Sequence, residues 1–407
     1  METHAKLPIE IIILIIEHLT PDAAGPQPIL PAVSIITKSL LAWTTVSKAT
    51  YPIASRLIWQ NCLYIDTRER IDAFREFASR RSVITGRTPC EAYGPTRMFL
   101  SPFSSVLGYK GSTYSPESFP GPPYLSPGGS LGQVSEDDDP DAPYEPVFPE
   151  YVPDDVVQSR LHDLQTVQNV REVLLTLAPV LKTLVVDMPL RSLYPEDDHQ
   201  GVRKLLREGF EALAVIEEIV SVEDELYLAT NRDYTEAQVW TRWPKLKRMA
   251  LYNILAEEET WRNMLLCPQL EVGVFTRADS IDAFSEHRDV KREWTKAWTA
   301  STSIRSSTEG LYQGPEITMA FCNQRSELPD FDKLVPQWHT MDPENRICIL
   351  TVPTDSAYDQ QTNGEDGIDD PIGVSQEWIR DRALAGTLWE DVKRENVFMS
   401  SKREQEI

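Results

Sequence analysis

The chain has 407 residues, enough for two or three domains, or one elongated one, with a substantial core. Its 40 basic and 63 acidic residues leave a formal net charge of −23, which argues against general binding to nucleic acid or an anionic membrane surface, since both need net basic patches. Five scattered cysteines (Cys62, Cys90, Cys267, Cys322, Cys348) form no C-x-x-C pair, so neither a zinc site nor a disulfide framework is indicated.

Residues 7–19 form the most apolar stretch. Isoleucine is β-branched and favours extended structure, yet Pro8 suits a first helical position and the run is longer than a typical strand. Glu10, Glu17 and His18 fall at i, i+7 and i+8, on one narrow stripe of a helix that is otherwise apolar nearly all round. Such a helix needs cover on several sides, more than a short module supplies. The run is flanked by Glu10 and Glu17, lacks a basic leader and is too short to span a bilayer, so the chain is expected in the cytoplasm or nucleus and not in a membrane.

Thr20 and Pro21 stop this helix, and a proline-interrupted segment leads to further helical stretches over residues 37–48 and 49–59. Leu40, Leu41, Val46, Ile53, Leu57 and Trp59 supply apolar positions for a small three-helix module. The order Leu7, Pro8, Glu10, Ile11, then paired Ile15 and Ile16 and Leu19, resembles the opening of an F-box; Leu40-Leu41, Val46-Ser47-Lys48 and Leu57-Ile58-Trp59 resemble its second half. The resemblance spans residues 5–63. It implies a three-helix module docking on a Skp-type adaptor, and through it a cullin of a ubiquitin ligase, with the remaining chain recognising a protein substrate. The adaptor contacts it implies are Leu7, Pro8, Ile12, Ile15, Ile16, Leu19, Leu40, Leu41, Val46, Leu57 and Trp59. The connection over residues 20–39 is longer than is usual in that family.

Residues 61–66 suggest a short strand, Thr67 caps a helix running to Phe77, and residues 97–100 suggest another strand, so residues 64–100 open a second region. Residues 101–154 are rich in proline, glycine and serine and then acidic, the pattern of a flexible insertion, with Ser-Pro steps at Ser101, Ser115 and Ser126 as potential phosphorylation sites. Within residues 155–353 a weak repeat appears. Segments starting at Leu181, Ile216, Leu246 and Leu270 share an apolar register at spacings of 35, 30 and 24 residues, each preceded by a helical pattern. A proline stands two residues before three of them, at Pro179, Pro244 and Pro268. Helix, proline, then a strand pairing with its neighbour's strand predicts a curved α/β solenoid. It resembles the degenerate leucine-rich repeats that follow an F-box in filamentous fungi, although the asparagine ladder is absent and Gly273 stands at an apolar position. Residues 316–321 and 346–352 suggest two further strands. Trp294 and Trp298, four apart on a helix over residues 289–300, are expected in the core. Residues 354–374 read as an acidic loop without EF-hand spacing, and residues 375–399 as a last helix, with Ser375 as its cap.

No G-x-S-x-G elbow, H-E-x-x-H pair, Walker loop or kinase signature occurs, and the six histidines do not cluster as ligands. The fold class expected is α+β or α/β: a three-helix F-box module followed by an irregular leucine-rich-repeat-like solenoid. The function expected is that of a non-catalytic substrate receptor without cofactor or metal. The alternatives are an interaction scaffold that uses the F-box without ubiquitin ligase activity, and an enzyme fused to a docking helix.

Overall fold

The apolar runs of this chain are consumed by two kinds of packing, three helices at the N-terminal end and a sheet buried on both faces. The computed structural model describes residues 7–21, 25–83, 86–103, 160–233, 236–281, 289–302, 311–354 and 371–398. They belong to one unit, residues 1–104 and 159–407, and residues 105–158 fall outside it. The expected insertion from residue 104 onward, Ser115 and Ser126 with it, and residues 355–370 of the expected acidic loop lie outside the described residues. Ser101 is described and buried, its backbone N–H donating to the Ile65 carbonyl at 2.7 Å, which makes it a poor kinase substrate in the folded chain.

Helices α1 (Ile9–Glu17), α2 (Ile35–Val46) and α3 (Tyr51–Asn61) open the chain. Pro8 is the residue before α1 and not its first helical residue, since its ψ of 144° is extended. Ser34 caps α2 by accepting from the Ile36 N–H at 3.2 Å, so this helix starts before residue 37. Between α2 and α3, Thr50 donates its hydroxyl to the Trp43 carbonyl at 2.8 Å, which fixes the turn.

Strands β1 (Leu63–Ile65), β2 (Thr96–Leu100), β3 (Leu181–Val186), β4 (Glu218–Ser221), β5 (Arg248–Tyr252), β6 (Val272–Thr276), β7 (Ile317–Asn323) and β8 (Ile347–Pro353) form an eight-stranded sheet. All neighbours are parallel and in sequence order, giving an α/β fold with no reversal of strand order. The register aligns Leu63, Met98, Leu184, Ile219, Met249, Gly273, Met319 and Ile349 in one row across the sheet. This row faces a core shared with α4 (Arg68–Ser79), α6 (Leu164–Leu177), α7 (Val202–Glu211), α8 (Glu258–Met264), α9 (Val290–Thr302) and α10 (Val335–Met341). The glycine in the row is no gap. A Cβ at Gly273 would lie 2.5 Å from Phe275 Cζ, because the Phe275 ring folds over that position and fills it. Trp294 and Trp298 are both buried in this layer, as expected, and the Trp294 indole N–H donates to the Tyr312 hydroxyl at 3.0 Å.

The neighbouring row, Tyr64, Phe99, Val185, Val220, Ala250, Val274, Ala320 and Leu350, faces the other way. An all-parallel sheet is normally covered on both faces. Here the second face is covered by α11 (Pro371–Ala385) and α12 (Leu388–Arg394), through Trp378, Ile379, Leu388, Trp389 and Val392, together with Ile29. The single terminal helix expected over residues 375–399 is therefore two helices. Pro371 stands at the start of the first, so residues 371–374 are helical and not loop, and Ser375 is a buried interior residue and not a cap. The break falls at Gly386, whose φ of +73° is left-handed and whose Cα packs against the Gln27 backbone.

Candidate protein-docking surface

The three N-terminal helices meet on a small core of Ile16, Leu40, Ala54 and Leu57, joined by the half-buried Ile12, Leu19, Ile36 and Trp43. In α1 and the turn that ends it the inward positions are Ile12, Ile16 and Leu19, spaced four and three apart, so they lie on one side. The opposite stripe is also apolar. Ile11, Leu14 and Ile15 are 42, 49 and 46% exposed, and Leu7 before them 60%. A surface helix normally presents polar residues there. Glu10, Glu17 and His18 are exposed beside Leu14, and Glu17 pairs with Arg56 of α3 at 3.0 Å with both side chains nearly half exposed.

Helix α2 repeats this arrangement. Leu40 and Thr37 point inward, while Ile35 (80% exposed), Ala42 and Val46 (62%) lie at i, i+7 and i+11 along one outer stripe with Leu41 beside it. Leu41 also lines a cavity of about 450 Å³ between the N-terminal helices and the next two, α4 and α5 (Pro89–Tyr93). Ile58, Trp59, Phe77 and Tyr93 supply apolar walls, and Arg80, Arg81 and Arg87 also line it.

The eleven positions expected to contact an adaptor thus separate into three groups. Leu7, Pro8, Ile15, Leu41 and Val46 are exposed; Ile12 and Leu19 are half-buried; Ile16, Leu40, Leu57 and Trp59 are buried. The last four are corrected from surface to core. Ile16 and Leu40 have no exposed surface to offer, and Trp59 is fixed from within, its indole N–H donating to the Gly94 carbonyl at 2.9 Å. Conversely Ile11, Leu14 and Ile35 are exposed and were not among the expected contacts. Their signal was available: once Ile12 and Ile16 are placed inside, positions 11, 14 and 15 must face out.

Among the described residues no three His, Cys, Asp or Glu side chains are grouped to hold a metal ion, and no helix is long and apolar enough to cross a membrane. Burial raises all five thiols, that of Cys267 to about 12. Asp224, fully buried, is pushed up to about 7 by burial and then by Glu225, but it accepts backbone N–H bonds from Leu226 at 2.8 Å, Arg191 at 3.2 Å and Tyr227 at 3.3 Å. Three such donors favour the ionised carboxylate, and its role is to hold the turn after β4. No family model, curated protein or solved structure matches this chain.

Proposed function

We propose that the chain is an F-box-type substrate receptor, docking on a Skp-type adaptor through α1 and α2 and presenting a protein substrate to a cullin ubiquitin ligase in the cytoplasm or nucleus. On this reading residues 5–63 are the F-box module and the strand–helix units form an irregular leucine-rich-repeat-like solenoid. The chain itself makes no bonds; it raises the local concentration of substrate lysines at the ligase. The observation that carries the reading is the exposed apolar stripe Ile11, Leu14 and Ile15 with Leu7, on a helix whose opposite face already fills its own module. Exposed apolar area of that kind mainly marks a protein interface. Because α11 and α12 cover the second face of the sheet, substrate contact is assigned to the helices and loops and not to that face.

The test is binding of the full chain to a purified Skp-type adaptor, by calorimetry, for wild type and Ile15→Asp. Ile15 is half exposed, so the charge is tolerated in the free protein but would be buried unpaired in the complex, and affinity should fall at least about a hundredfold. Equal binding by the variant, or none by the wild type, refutes the docking assignment. Recovery of a cullin together with the adaptor separates a ligase receptor from a scaffold that stops at the adaptor.

A further inference from the structure

The cavity beside Leu41 has a charge opposite to that of the chain. The sequence carries a formal net charge of −23, yet this cavity is lined by Arg80, Arg81 and Arg87 and, among the described residues, by no carboxylate. Glu76 pairs with Arg80 at 2.8 Å and Glu91 with Arg81 at 3.5 Å, both from outside the lining. The side chains of both pairs are largely exposed, and exposed pairs contribute little, so another carboxylate can replace either one.

The walls are apolar and open to contact. Leu41 of α2 and Phe77 in the last turn of α4 are each 50% exposed, and Val83 is fully exposed. Ile58 of α3 and Tyr93 of α5 are half-buried and line the cavity as well. Three exposed large apolar side chains from separate segments, gathered at one opening, mark a surface for a partner. The segment carrying Val83 is held in place. The Ser82 N–H donates to the Arg87 carbonyl at 2.9 Å and the Gly86 N–H to the Ser82 carbonyl at 2.8 Å, with Gly86 left-handed at φ +68°. Arg81 donates to the Gly86 carbonyl at 3.0 Å, which ties its guanidinium to the same segment.

We propose that this cavity docks an acidic peptide segment of a partner protein. One large apolar side chain of the peptide sits among Leu41, Phe77 and Val83, and carboxylates beside it accept from Arg80 and Arg81, with Arg87 adding positive charge. A volume of about 450 Å³ holds such an anchor, and carboxylates match guanidinium groups in plane and charge. A nucleic acid would match the arginines but set phosphates against apolar walls, and the net charge of the chain opposes it. The inference goes beyond adaptor docking and does not depend on it, since of these residues only Leu41 belongs to that surface.

The experiment is isothermal titration calorimetry of the full chain, without adaptor, using the acetylated and amidated peptide Glu-Asp-Leu-Phe-Asp-Glu. Two comparison peptides carry lysine at the four acidic positions or alanine in place of Leu and Phe. Expected are saturable binding of the first peptide, weakened by salt, and at least about tenfold weaker binding of the other two. Arg81→Glu should also weaken binding at least about tenfold, and so should Val83→Asp, which lies at a fully exposed position and provides the test should the first variant not fold. Arg262→Glu makes the same charge change on α8, outside the lining, and should bind as wild type does. Ile15→Asp should also bind the peptide normally, which tells a failed adaptor interaction from a failed peptide interaction. No saturable binding by about 1 mM peptide, equal binding of either comparison peptide, or full binding by Arg81→Glu or Val83→Asp overturns the proposal. So does an equal loss in Arg262→Glu or Ile15→Asp, or tighter binding of an oligothymidylate of the same length.

Discussion

Ile29 donates its backbone N–H to the Leu384 carbonyl at 2.8 Å, tying the connection between the first two helices to the last turn of α11. The next residue, Leu30, donates to the Asn61 carbonyl at 2.6 Å, at the end of α3. The connection is long because it leaves the N-terminal helices, reaches the second face of the sheet and returns. Ile29 itself is buried there with Val220, Trp389 and the other residues of that layer. Gly386 is the tightest point, since a Cβ would lie 2.5 Å from the Gln27 nitrogen. Gly386→Ala is therefore expected to lower stability by about 1–2 kcal/mol for the left-handed conformation alone, and further for the backbone clash. Ile29→Ala should cost about 2–5 kcal/mol as a buried cavity. Urea unfolding monitored by circular dichroism measures both; a neutral Gly386→Ala would show that the connection and α11 are not packed as described.

Lys291 and Asp342 form the most deeply buried ion pair among the described residues, 3.0 Å apart and 4 and 0% exposed. The lysine also donates to Asn345 Oδ1 at 2.9 Å and lies 5.4 Å over the Trp338 ring. The carboxylate accepts the backbone N–H of Arg346 at 2.8 Å and of Ile347 at 2.9 Å, so it organises the turn into β8. Asp342→Ala strips two backbone donors and strands a buried ammonium, and is expected to cost about 3–5 kcal/mol. Lys291→Met should cost less, since the carboxylate keeps its two backbone donors. A double-mutant cycle of Lys291→Met with Asp342→Asn should show positive coupling; additive losses would mean that the pair acts as two independent groups.

Much of this fold was legible in the sequence because the shared apolar register of the repeat segments and the prolines before three of them are local signals. All four repeat segments contain one strand each, and the two runs after them are β7 and β8. What was not legible is long-range. Nothing local says that residues 371–394 return to cover the sheet, because an amphipathic helix does not name the surface it buries against. One polar row across the sheet was within reach: Thr183 and Glu218 occupy the third position of their repeat segments and Arg248 the same position in the next, so aligning the segments would have stacked them. The docking helix was legible as helix but less so by face, since the narrow polar stripe of Glu10, Glu17 and His18 marks only one line of α1 and leaves the apolar Ile15 and Ile16 on its flank undistinguished.

Glu217, just before β4, carries the clearest pH dependence. Hydrogen bonds from Lys182 at 2.5 Å and Lys247 at 2.8 Å hold its carboxyl down at about 2, below the 4.5 of a free glutamate. A depressed folded-state value means that the stabilisation is fully present above pH 4.5 and is lost as pH falls from about 4.5 towards 2. The three side chains are 30 to 40% exposed, so screening limits the pair of contacts to about 1 kcal/mol. Glu217→Gln should accordingly be less stable than wild type at pH 7 and equal to it at pH 2. Urea midpoints across that range provide the measurement, and a gap that widens on acidification contradicts the assignment.

The thiols give a test of the core itself. Burial pushes Cys267 up to about 12 and raises Cys322 further, while Cys62, Cys90 and Cys348 are raised by burial to lesser degrees. Cys267 donates weakly to the Trp240 carbonyl at 3.4 Å, and Cys322 lies under α11 and α12 in the second-face layer. The thiolate is the reacting species, and at pH 8 a free cysteine is about a quarter ionised whereas a thiol near 12 is ionised about one part in ten thousand. Native protein treated with a chromogenic disulfide reagent at pH 8 should therefore leave Cys267 and Cys322 unmodified for hours, and all five cysteines should react within minutes in denaturant. Gly386→Ala, by loosening the cover of the second face, should accelerate Cys322 and leave Cys267, buried in the opposite layer, unchanged. Equal acceleration of both thiols would mean that the two layers open together and that α11 and α12 are not a separately removable cover.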